Sequence, residues 1–259
     1  MSDTVRKMFF YNGNAHAFSG HFHRPIERLI EVQAAATLPT AGGFGTSRVE
    51  NFRFNELVSF KAAYSYVSGS EQKEKDKTFY TTLVTTTVEG LNILDVVTAD
   101  KVVARISGSY EFYEEEPRIL FIGSKFENLQ VAGCPVKVEL DHEFFLNLDT
   151  FAGIRKEFAS NAEFRKIAED PFQSGDKQKQ PEAHGGLLCS LVKDIHTNCP
   201  GIKRRGPGLV VPRFGTVYFA EVLAQHSKRT LTMIRLELGS PVCGTGIVAQ
   251  TSGNGHHLP

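Results

Sequence analysis

Apolar residues two apart, with polar ones between, mark Val49-x-x-Phe52-x-Phe54, and the same spacing returns at Val88-x-x-Leu91-x-Ile93. A half-buried strand needs this alternation, because successive side chains point to opposite faces of a sheet. Asn55-Glu56 reads as a bend, and the run from Leu57 to Val67 that follows is apolar and aromatic. In the second stretch Val96, Val97, Val102, Val103 and Ile106 supply the β-branched content of strands. A helix is the weaker reading, since no 3.6-residue period runs through either stretch and Ser-Gly closes both.

The two stretches belong to a longer similarity. Val49 to Gly69 is written again, loosely, from Val88 to Gly108 at an offset of 39 residues, and a shorter echo starts at Phe126, 38 residues further on. A fixed period points to a repeated supersecondary unit. Charged segments follow Gly69 (70–77) and Gly108 (109–118) at one phase of the period. They predict solvated hairpin tips on one edge of the fold, where lysines and a proline also guard a sheet edge. Thr81 to Val88 and Ile119 to Ile122 are strand-like.

Around the repeats (44–141) the pattern divides the chain further. Residues 1–43 read as a lead-in that ends in the turn Gly42-Gly43-Phe44-Gly45. Asp149 is the expected N-cap of a helix carrying Phe151, Ile154 and Phe158, and Ser160-x-x-Glu163 the capping box of a second with Phe164 and Ile167 on its face. This helical insertion, at about 149–169, sits within 142–186, where Phe172 to Gly186 reads as a polar loop. Strands return over 187–250, at Leu187 to Val192, Leu209 to Val211, Thr216 to Leu223 and Leu231 to Leu238, and 251–259 reads as a flexible tail. The expectation is one mainly β domain, a duplicated β-repeat sandwich, barrel or solenoid-like unit with a small helical insertion.

The segments Leu91-Asn92-Ile93-Leu94, Thr98-Ala99-Asp100-Lys101-Val102-Val103-Ala104 and Phe126-Glu127-Asn128-Leu129-Gln130-Val131-Ala132-Gly133-Cys134-Pro135 resemble the repeats of choice-of-anchor proteins, a mostly uncharacterised bacterial group. The resemblance covers roughly residues 80 to 141. It implies a surface-attached, secreted module and carries no catalytic residue across. The chain departs from the group in showing no recognisable signal segment near its start.

Composition narrows the function classes. Lys and Arg number 29 and so do Asp and Glu, so the chain lacks the basic footprint of a nucleic-acid binder. No run approaches the 18 or so apolar residues of a membrane span. With no basic start and long apolar run at the N-terminus, the default compartment is cytoplasmic, although export by another route would leave the same sequence. Cys134, Cys189, Cys199 and Cys243 lie far apart without C-x-x-C spacing, which favours free thiols.

The chemistry candidates are few. His21-x-His23-x-x-x-Glu27 places two imidazoles on one face of a strand with a carboxylate close behind, a set that suits a divalent transition metal. The spacing resembles the first metal motif of the cupins. The chain departs from it in lacking the flanking glycines and the second motif, and in having Pro25 interrupt the strand. His184-Gly185-Gly186 resembles an oxyanion-hole segment, but no G-x-S-x-G accompanies it. Gly206-Pro207-Gly208 reads as a turn, Lys203-Arg204-Arg205 as a solvated basic spot and His256-His257 as inert. Two readings follow. The first is a non-enzymatic β module that binds a protein partner or associates with itself. The second is a metal-dependent, cupin-like or ligand-enclosing β-barrel enzyme using His21, His23 and Glu27.

Overall fold

A computed structural model describes residues 8–25, 27–75, 77–168 and 185–257. In chain order the strands are β1 (Phe9–Arg24), β2 (Arg28–Gln33), β3 (Ala36–Thr37), β4 (Gly43–Phe54), β5 (Val58–Glu74), β6 (Lys77–Ile93) and β7 (Val97–Glu111). Short strands follow: β8 (Arg118–Leu120), β9 (Lys125–Glu127), β10 (Gln130–Val131), β11 (Cys134–Pro135) and β12 (Lys137–Leu140). The helices are α1 (His142–Leu146), α2 (Phe151–Ser160) and α3 (Ala162–Ile167). The chain then runs through β13 (Gly186–Ser190), β14 (Val192–His196), β15 (Lys203–Arg205), β16 (Gly208–Val211), β17 (Gly215–Gln225), β18 (Lys228–Leu238) and β19 (Cys243–His257).

Two sheets face each other. Sheet A runs β15-β16-β17-β18-β19-β1-β2, with β13 on β17 and β3 on β1; sheet B runs β11-β10-β7-β6-β5-β4, with β8 and β9 on β7. Neither closes into a barrel, so of the expected architectures the sandwich is the one found. Between the sheets Phe126 of β9 meets Phe219 of β17 edge to face at 5.8 Å. Thr86 of β6 donates to the Gln250 carbonyl of β19 at 3.4 Å. A third, two-stranded sheet joins β12 to β14.

The 39-residue offset falls on two successive hairpins. β4 and β5 turn at 55–57, β6 and β7 at 94–96, and each turn is closed by the same bond, Leu57 N–H to Phe54 C=O and Val96 N–H to Ile93 C=O. In an antiparallel meander every second strand runs the same way, so Val49, Ala63, Val88, Val102 and Phe126 fall into one cross-strand row. The next row of interest contains Asn51, Lys61, Gly90, Asp100 and Asn128, and three of its members have positive φ: Asn51 at 51°, Gly90 at 65° and Asn128 at 50°. Along this row the inward-facing parity reverses. In β6 the buried residues are Val84, Thr86 and Val88 on one side of it, then Leu91 and Ile93 on the other. Asn and Gly tolerate the left-handed region that such a reversal uses. The repeated Val-Glu-Asn, Val-Glu-Gly and Phe-Glu-Asn triplets therefore encode a crease across sheet B. Sheet A has its own crease at Ala220 and Ala249, with φ of 46° and 49°.

Several expectations are corrected. Residues 251–257 are not a flexible tail: they complete β19, which pairs with β1 on one side and β18 on the other. The lead-in likewise contains β1, a central strand of sheet A. Thr251, Ser252 and Asn254 are buried despite being polar. The glycines Gly13 and Gly253 pair there because each lies over Val84 of β6, where a Cβ would come within 3.1 Å of the Val84 methyl. The segment 70–77 is, as expected, the exposed end of a hairpin, but most of it is strand, since β5 reaches Glu74 and β6 starts at Lys77. The turn expected around Gly42 is shorter as well, because β4 starts at Gly43.

In the helical insertion the expected core residues Phe151, Ile154, Phe158 and Phe164 are buried, while Ile167 is exposed. The caps lie one residue later than the sequence suggested. Thr150 Oγ accepts from Gly153 N–H at 3.2 Å, and Asn161 Oδ1 from Glu163 and Phe164 N–H. Asp149 instead gives its backbone carbonyl to Ile119 N–H, and Ser160 ends α2. Helix α1, capped by Asp141, which accepts from Phe144 N–H at 3.2 Å, was not among the expected elements. The polar loop expected at 172–186 lies, up to His184, outside the described residues.

The cysteines divide differently from expectation. Cys134 of β11 and Cys199, in the loop after β14, form a disulfide with a Cα separation of 5.6 Å. Cys189 and Cys243 are free thiols, and burial pushes Cys189 up to about 12.

Candidate functional site

His21 and His23 lie two apart near the end of β1, with the buried Phe22 between them. The strand is held on both sides here, His21 pairing with Thr245 of β19 and with Leu29 of β2. It ends at Arg24 before the cis Pro25, as the proline anticipated, and the return toward β2 brings Glu27 back. His21 Nε2 lies 3.5 Å from Glu27 Oε1, and the two imidazole centroids are 4.1 Å apart. One ligand atom from each of His21, His23 and Glu27 lies within 4.8 Å of the others. The three residues thus converge, but on the outer surface at one end of sheet A. The His21 side chain is 39% exposed and that of Glu27 77%. With the sheets open, no enclosed barrel interior surrounds them.

Other sequence candidates stay apart. His256 is an exposed residue of β19 beside the Phe10 ring. Lys203, Arg204 and Arg205 form β15 at the sheet edge, where Arg204 is engaged by Asp194. Gly206-Pro207 is the turn between β15 and β16.

A second site has no counterpart in the motifs. On the outer face of sheet B a groove of about 570 Å³ runs across β5, β6, β7 and β8. Its floor is built from cross-strand rows: Ser68, Leu83, Ser107 and Leu120 in one, Ser70, Thr81, Ser109 and Arg118 in the next. Row position gives the reason, because these residues alternate with the inward row Gly69, Thr82, Gly108 and Ile119. Ser70 and Thr81 bond each other at 3.0 Å, and the hydroxyls of Ser68, Ser107 and Ser109 make no side-chain hydrogen bond among the described residues.

Two arginines border the groove, and they differ. Arg118 is engaged by Glu114 at 3.0 Å and Asp149 at 3.8 Å. Arg105 is exposed and meets no carboxylate among the described residues. It lies across Gly123, where a Cβ would approach its Cδ to 3.2 Å. Tyr66 stands in the same row as Arg105, two strands away, about 10 Å at the usual strand spacing, and is 41% exposed. The alternation of Ser and Thr in TTLVTTT and in SGS was the available signal; it registers as strand propensity, and only the alignment of neighbouring strands gathers it into one surface.

A buried guanidinium lies near the same end of the molecule. Arg229 is fully buried over the Phe151 ring at 5.7 Å, gives Nη1 to backbone carbonyls of Gln225 and Lys228, and has no partner for Nε or Nη2 among the described residues. Burial lowers it to about 10, opposed by Glu116 and Asp149. Glu116 is committed to the start of α2, accepting from Phe151 and Ala152 N–H at 2.7 and 3.1 Å.

A family model described as Domain of unknown function (DUF8256) matches residues 9–225. The chain belongs to that family. The match to DUF8256 opens at the first residue of β1 and closes at the last of β17, so it takes in all of sheet B, both arginines of the groove and His21, His23 and Glu27. Strands β18 and β19, which lie between β17 and β1 in sheet A, fall beyond it. No curated protein and no solved structure matches the chain. No helix among the described residues is long and apolar enough to cross a membrane.

Proposed function

We propose that this chain is a non-catalytic binding module whose binding surface is the outer face of sheet B, and that its ligand is an acidic glycan. The observation that carries the reading is the guanidinium of Arg105, without a carboxylate partner among the described residues, set among serine hydroxyls of neighbouring strands in the groove. Each serine or threonine hydroxyl both donates and accepts, as a sugar hydroxyl does, so a ladder of them suits an extended chain of sugars. A guanidinium adds a forked donor matched to carboxylate or sulfate. Tyr66 contributes an exposed ring with a polar tip. The balanced overall charge argues against a nucleic-acid ligand, which calls for a broad basic surface.

The Cys134–Cys199 disulfide supports an oxidising compartment rather than the cytoplasmic default. The resemblance of residues 80 to 141 to surface-attached modules agrees with that placement.

Affinity electrophoresis through gels containing polygalacturonate, alginate or neutral dextran tests the proposal. The wild type is expected to be retarded by an acidic glycan and not by dextran. Arg105→Ala should weaken the retardation roughly tenfold or more, the value of one charge-assisted pair. Absence of retardation, or equal retardation of the Arg105→Ala variant, would overturn it.

A further inference from the structure

We propose that His21, His23 and Glu27 form a surface site for a first-row divalent transition-metal cation. The site lies on sheet A, near the end of β1 away from the groove, and does not rest on the glycan reading.

Two imidazoles and a carboxylate are the ligands that zinc, nickel and copper take, whereas magnesium and calcium prefer oxygen alone. Because side chains on a strand repeat every two residues, His21 and His23 leave β1 on one face, and Glu27 reaches them from the start of the return toward β2.

Backbone rigidity and side-chain freedom are divided in the way a metal site needs. The main chain at His21 is paired on both sides, and Phe22, at 1% exposed, anchors the strand between the two ligands. His23 and Glu27 are exposed and His21 partly so, which leaves their side chains room to adjust. Bonds of about 2.0–2.1 Å in a tetrahedral site put donors about 3.4 Å apart. The present spread, within 4.8 Å, closes by modest rotations. His21 Nε2 and Glu27 Oε1, at 3.5 Å, already have that spacing.

Three protein donors leave at least one coordination position for water or an external ligand. Arg24 and Arg28 flank the cluster, and their charge opposes a cation. The site is therefore expected to bind with moderate strength and to be reversed by a chelator. Among the described residues no other group of three such donors comes together in this way.

Calorimetric titration of the untagged full chain with zinc chloride tests the site. One zinc per chain is expected for the wild type, with no binding of magnesium. The double variant His21→Ala/His23→Ala should lose the binding. Glu27→Gln should weaken it by roughly tenfold or more, the loss found even for outer-sphere partners. The variant His256→Gln/His257→Gln should bind as the wild type does. Should the double alanine variant lose its β-sheet circular dichroism, the exposed single change His23→Ala carries the same test. No zinc binding by the wild type, or undiminished binding after His21 and His23 are removed, would overturn the proposal.

Discussion

Burial separates the two thiols that the disulfide leaves over. Cys189 lies in β13, closed in by sheet A, and its thiol is pushed up to about 12 by desolvation, so almost no thiolate forms near neutral pH. Cys243, at the start of β19, is only partly covered. Ellman's reagent is therefore expected to count one thiol in the native protein, two after unfolding in denaturant and four after reduction; three or more native thiols would show Cys134 and Cys199 reduced. Single residues were unevenly legible. His21, His23 and Glu27 could be grouped because they are near in sequence and strand geometry alone brings two of them together. Cys134 and Cys199 are 65 residues apart, and nothing local announces that the β10–β11 hairpin meets the loop after β14. Arg105 stands in no motif, and only the register of the neighbouring strands places it beside the groove.

At the scale of the element, the crease coincides with a recurring triplet. The chain repeats a hydrophobe, a glutamate and an Asn or Gly at 49–51, 88–90 and 126–128, and in each case the third residue takes positive φ. The triplet was legible as similarity, while its cause, a reversal of inward parity along one row, required the register. Gly90 is the most constrained of the three, since a Cβ there would meet Lys61 Cβ at 2.9 Å. Gly90→Val is expected to destabilise the protein by about 2 kcal/mol or more, combining left-handed strain for a β-branched residue with that contact. Asn51→Gly should lie within about 0.5 kcal/mol of the wild type, because Gly adopts the same φ freely and Asn51 sits on an edge strand. Urea denaturation checks both; equal stability of Gly90→Val would remove the crease as a constraint. The caps show the opposite limit. Thr150 and Asn161 are adjacent to the residues the sequence favoured, and a one-residue choice among neighbouring polar side chains depends on where Asp149 and Ser160 are otherwise used.

For the whole molecule, the ends of the chain carry the centre of sheet A. The stretch Thr251-Ser252-Gly253-Asn254-Gly255 has the composition of a loose tail, and no local pattern marks it as the partner of β1. Paired between β1 and β18, its small residues are what allow sheet A to approach Val84 and Ile106 of sheet B. Ending the chain before Thr251 would strip β1 and β18 of much of their pairing. A chain ending at Gln250 is expected to be insoluble or to lack a cooperative thermal transition, whereas a folded product with wild-type melting temperature would restore the tail reading. The long hairpins of sheet B were legible from alternation alone, since β4 to β7 follow one another in sequence. Sheet A was not, because its order joins the first strand to the last.

The sandwich presents sheet B outward as a hydroxyl face with Arg105, which meets no carboxylate among the described residues, and the proposed function depends on that face. Amide chemical-shift mapping during titration with an acidic oligosaccharide, such as a galacturonate oligomer, tests it most directly. The shifted amides are expected to cluster at Ser68, Thr81, Leu83, Arg105, Ser107 and Ser109, and Arg105→Ala to raise the ligand concentration for half-saturation roughly tenfold or more. Saturable shifts confined to sheet A, or the absence of any shift at millimolar ligand, would contradict it.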